Sequence, residues 1–108
     1  MSQIDLLHEI LATYRKHGWE LRRVLLAEGL ERTFTDRAAL ADAKVQISEM
    51  NALWFSRTSH DQREAWELRL LTEAPYALFE TFESDETEEQ REEMRQEMEA
   101  RMREYALR

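Results

Sequence analysis

His8-Glu9 opens the way a helical zinc-protease pattern opens. That pattern needs a second histidine four residues on, so that two imidazoles share one helix face. Position 12 is Ala12, and His17 is more than two turns from His8, so the pair is incomplete and no metal is expected. Ser59, His60 and Asp61 are the side chains of a hydrolase triad, but three consecutive residues point in different directions and cannot form the relay. They read as a turn. Glu88, Glu89, Glu92 and Glu93 could hold a metal or pair as acid and base, yet a di-iron helix also needs a Glu-x-x-His pair, which this segment lacks. A solvated charged face is the simpler account. Gly18 and Gly29 are the only glycines, which excludes the P-loop and the dinucleotide fingerprint. No catalytic residue and no cofactor is assigned.

Two further sets of side chains could bind rather than react. Tyr14, Arg15, Lys16, Trp19, Arg22 and Arg23 mix cations with aromatics, a combination that stacks bases and holds phosphate. Glu20 interrupts the set, and the formal charge of -8 repels polyanions. The set therefore reads as a seam against acidic groups of the same chain, and nucleic acid is not an expected partner. Met94, Met98 and Met102 recur at four-residue spacing, and thioethers fill irregular cores before they line adaptable surfaces.

A chain of 108 residues supplies one core, so residues 1–108 are taken as a single domain. With no cysteine it forms no disulfide, and a reducing cytoplasm is the expected compartment. Asp5 stands where a signal peptide would be basic, and no apolar run approaches spanning length, so neither export nor a membrane is expected.

Ser2 begins a helix that carries Ile4, Leu7, Leu11 and Tyr14 on one face, and Gly18 supplies the positive-φ residue that ends it after His17. Thr87-Glu88-Glu89-Gln90 is a capping box, and the helix behind it carries the Met stripe and Tyr105. Between the two, Trp-Glu-Leu-Arg occurs at Trp19–Arg22 and again at Trp66–Arg69, with Trp and Leu alternating against Glu and Arg as in a half-buried strand. Ala52–Arg57 and Tyr76–Phe82 supply two more strands. Pairing Phe55 with Trp66, Leu53 with Leu68 and Arg57 with Glu64 buries apolar partners across the ladder. Residues 28–51 stay ambiguous, because Leu40, Ala43, Ile47, Met50 and Trp54 fit a helix while Trp54 also belongs to a strand. The expected fold is α+β, a small antiparallel sheet of about four strands with an N-terminal and a C-terminal helix. An all-α bundle is the alternative.

In that register Trp54 stands apart from Leu53 and Phe55, on the side of Glu67 and Arg69, and leaves an apolar strip that either a helix or a second copy must cover. A non-enzymatic interaction or self-association module follows, a homodimer or the binder of a protein partner. Its candidate surface is Trp54, Trp66, Arg69, Arg57 and Arg22, residue types that interface hot spots favour. The alternative is a small-molecule binder or enzyme with an Arg-lined pocket at Arg22, Arg57 or Arg69 and His60 as acid or base. A chaperone for a toxic or exported partner rests on size and acidity alone.

Overall fold

The computed structural model describes residues 2–34 and 36–108. Helix α1 (Gln3–Lys16) starts at Ser2, whose hydroxyl accepts the Asp5 amide at 3.0 Å, and it buries Leu6, Leu7, Ile10 and Leu11. It stops in a Schellman turn: Gly18 at φ +85° donates to the Arg15 carbonyl, and Trp19 reaches back to the Tyr14 carbonyl at 3.0 Å. The turn sets the Trp19 ring on the Tyr14 ring, with centroids 6.1 Å apart.

Five strands follow, β1 (Glu20–Leu26), β2 (Lys44–Ile47), β3 (Ala52–Thr58), β4 (Glu64–Leu70) and β5 (Ala77–Phe82), in the spatial order β2-β1-β3-β4-β5. The fold is α+β, with five strands in place of the four expected. The additional strand is β2, parallel to β1 and joined to it through α2 (Glu28–Thr33) and a short 3₁₀ turn, Arg37–Leu40. Parallel neighbours need such a crossover, which is why residues 28–51 show no single period. Every other pair is antiparallel. Ser59–Arg63 is the turn between β3 and β4, as read from its polar run. Helix α3 (Glu88–Ala106) opens with the complete Thr87–Gln90 capping box.

The two long helices lie on opposite sides of the sheet, α1 on one and α3 on the other. On the α1 side, Leu7, Leu11, Val24, Leu26, Leu53 and Phe55 form one core; on the α3 side, Trp54, Trp66, Leu68, Phe82, Met98 and Met102 form the other. Two of the three methionines in the stripe are thus fully in the core. The expected register is off by one residue: Phe55 lies opposite Glu67, Trp54 opposite Leu68, Ser56 opposite Trp66 and Thr58 opposite Glu64. A shift of one inverts every side chain, so Trp54 joins Trp66 and Leu68, while Leu53 and Phe55 share the other side with Glu67 and Arg69. The two Trp-Glu-Leu-Arg copies accordingly present their Trp and Leu to opposite sides.

Candidate functional site

The expected interaction residues do not form one surface. Trp54 is fully buried beneath α3, donating from Nε1 to Glu99 at 2.7 Å, and Trp66 is buried beside it. Of the two covers expected for the tryptophan strip, a helix or a second copy, the structure has the helix: α3 covers it. Arg69 is buried and donates to the Leu70 and Thr72 carbonyls. Arg57 and Arg22 are exposed, the first lying 4.4 Å over the Trp19 ring and bonded to the His17 carbonyl, the second bonded to Ser56 Oγ from a β-bulge. These three arginines do not converge on a pocket, and His60 sits in the exposed β3–β4 turn.

Arginines do converge elsewhere, in a cavity of about 370 Å³ at the start of α3, lined by Arg23, Glu64, Trp66, Glu88, Arg91 and Arg95. The Arg95 guanidinium, 2% exposed, lies 4.4 Å over the Trp66 ring and is bonded by Glu88 and Glu92. Arg23 grips Glu92 with two bonds of 2.7 and 3.2 Å. Arg91 bonds Glu64 at 2.7 Å and the Glu83 carbonyl, and its Nε is buried without a partner. Hydrogen bonding from Arg23, reinforced by Gln96 and Arg95 and partly opposed by burial, holds the Glu92 carboxyl down to about 2. Three guanidinium groups face three carboxylates, so the cluster is balanced and ties α3 to β1 and β4. This is the acidic seam expected for Arg23.

Both outermost strands, β2 and β5, lack a strand on their outer side. β5 is an edge strand, and the Leu70 amide bonds the Tyr76 carbonyl at 2.9 Å, which fixes which of its residues face β4. Leu78, Glu80 and Phe82 turn their backbone groups inward to the ladder; Ala77, Phe79 and Thr81 turn theirs out. The Thr81 amide is held by the carboxylate of Glu80 at 3.1 Å. Phe79, which lies opposite Glu67, is 58% exposed on the α1 side of this edge. Its ring meets Trp19 edge-on at 6.4 Å. Tyr14 stacks on Phe55 at 4.0 Å and donates its hydroxyl to Glu67. Burial, then the Glu67 carboxylate, push the Tyr14 phenol well above its ordinary range. On the α3 side, Tyr76 stacks on Tyr105 at 3.6 Å, and Tyr105 and Leu107 are exposed. Among the described residues, three of the four large exposed apolar side chains, Phe79, Tyr105 and Leu107, therefore belong to β5 or to the helix end beside it; Ile47 is the fourth.

Phe79 and the open backbone around it were not singled out by sequence. The one available signal was Pro75, whose lack of an amide hydrogen suits the approach to an edge strand. No helix among the described residues is long and apolar enough to cross a membrane, and no group of three His, Asp or Glu side chains among them could hold a metal. Comparison with protein-family models, with curated proteins and with solved structures returns no match.

Proposed function

We propose that this chain is a non-enzymatic protein-interaction module whose docking element is the open edge of β5, which takes an extended partner segment as an added strand. The supporting observation is Phe79, a large apolar side chain left in water on a strand whose outer backbone groups have no ladder partner. Strand addition satisfies those groups and buries the ring in the same step. The expected Trp54 surface plays no part in this, because α3 already covers it.

Thr81→Pro tests the proposal without disturbing the ladder to β4, because the lost amide points outward and bonds only Glu80. Panning a displayed library of ten-residue peptides should enrich sequences that bind the wild-type chain and lose at least about tenfold in affinity on Thr81→Pro, a change of about 1.4 kcal/mol. No enrichment by the chain at a concentration where it is monomeric, or binders indifferent to Thr81→Pro, ends the proposal. A second reading attaches to the orphaned Arg91 Nε in the arginine cavity, where a small anion would displace Glu88 from Arg95. A phosphate-dependent rise in melting temperature at constant ionic strength, absent in Arg91→Gln, supports that reading; equal behaviour of the two proteins removes it.

A further inference from the structure

Resting on the docking edge just proposed, we infer that one occupant of β5 is the β5 of a second copy, joined about a two-fold axis through Phe79. An antiparallel strand paired with itself about an axis normal to the sheet must place some residue opposite its own copy, so only a few registers exist. Centring on Glu80 opposes two like charges directly, which is unfavourable. Centring on Leu78 sets Pro75, which has no amide hydrogen, opposite the outward Thr81 of the second copy. Centring on Phe79 avoids both. Phe79 then faces its own copy, small Ala77 faces Thr81, and Leu78 faces Glu80. The outward amides and carbonyls of residues 77, 79 and 81 are all paired, and Trp19 and Phe79 of each copy line up as one aromatic row on the α1 side.

Charge complementarity favours the same partner. Helix α3 runs antiparallel to β5: Arg91 and Arg95 lie over Phe82 at one end, and Tyr105 stacks on Tyr76 at the other. Arg101, one turn before Tyr105, is on the same side of the helix and stands near the level of Leu78, because about 6 Å of helix and about 6 Å of strand separate them from that stack. Arg101 is exposed and takes part in no ion pair among the described residues, and Glu80 likewise pairs with no cation. In the Phe79-centred register the Glu80 of the second copy lies beside Leu78, within reach of Arg101. Pairing also frees that carboxylate, since the Thr81 amide it now holds passes to the Ala77 carbonyl of the other copy.

Sedimentation equilibrium on the full chain tests this. The wild-type protein is expected at twice the chain mass. Glu80→Arg and Arg101→Glu should each weaken association at least about tenfold, the double variant should regain most of it, and Thr81→Pro should abolish it, while circular dichroism shows every variant folded. A wild-type chain that stays monomeric at millimolar concentration overturns the inference. So does a dimer indifferent to Thr81→Pro, or one that the double charge swap fails to restore. Monomers that nonetheless bind displayed peptides through Thr81 remove the second copy and leave the docking edge standing.

Discussion

Tyr14 is the residue through which the end of α1 reaches the sheet. Its ring stays stacked on Phe55 whether or not the hydroxyl is present, so Tyr14→Phe isolates the bond to Glu67. Because Glu67 is only partly buried and can turn to water, the loss is expected near 1 kcal/mol in urea unfolding. The phenol is raised above its ordinary value of 10.0, so its contribution is complete below that pH and fades as pH rises beyond it. The stability gap between wild type and Tyr14→Phe should therefore be constant from pH 6 to about 9 and close in stronger base. Gly18 acts on the same pair from the backbone. A Cβ there meets nothing within 4 Å, so the cost of Gly18→Ala is the positive φ alone, about 1 kcal/mol by the same measurement. An equal stability for Gly18→Ala would mean that the turn relaxes and that Trp19 is not held against Tyr14 by it.

At the scale of the element, α3 is what turned the expected docking strip into core. Its capping box and Met spacing were legible, because both are local patterns within one helix. The face it covers was not. Residues Ala52–Ser56 of β3 are all buried, so the central strand has no alternation from which to read its parity, and β4 is buried on both sides for most of its length. With no polar face to mark, pairing Phe55 with Trp66 looked as favourable as the observed pairing of Trp54 with Leu68. Trp54→Phe tests the assignment to the α3 core: it shrinks a fully buried side chain and leaves the buried Glu99 carboxylate without its donor, so unfolding free energy should fall by about 2–4 kcal/mol. Glu99→Gln keeps an acceptor for Nε1 and should cost less than about 1 kcal/mol. Thr87→Ala, which removes half of the capping box, should cost about 1 kcal/mol. If Trp54→Phe proved neutral, the tryptophan could not be packed under α3.

For the molecule as a whole, the two cores share the sheet as a common wall, and side chains at both ends of α3 fasten it there. Sequence showed four of the strands but neither β2 nor which strands are outermost, since β2 spans four residues and reaches its neighbour only through the α2 crossover. That is why the open edge at Phe79 went unread while the acidic seam did not. The seam governs how the fold meets acid. Glu92 accepts from Arg23 on β1 and from Arg95 on its own helix, and its carboxyl is held down to about 2 from an ordinary 4.5. A carboxyl depressed by folding contributes stability that is fully present above the unfolded value and is lost as pH falls toward the folded one. The window is therefore about pH 4.5 down to 2. The side chain is 40% exposed, so solvent screening keeps the effect below about 1 kcal/mol. Glu92→Gln should be less stable than wild type at neutral pH, with the difference shrinking through that window and vanishing near pH 2. Urea midpoints measured across the range check this, and a difference that persists at pH 2 would assign the loss to packing of the side chain rather than to its charge.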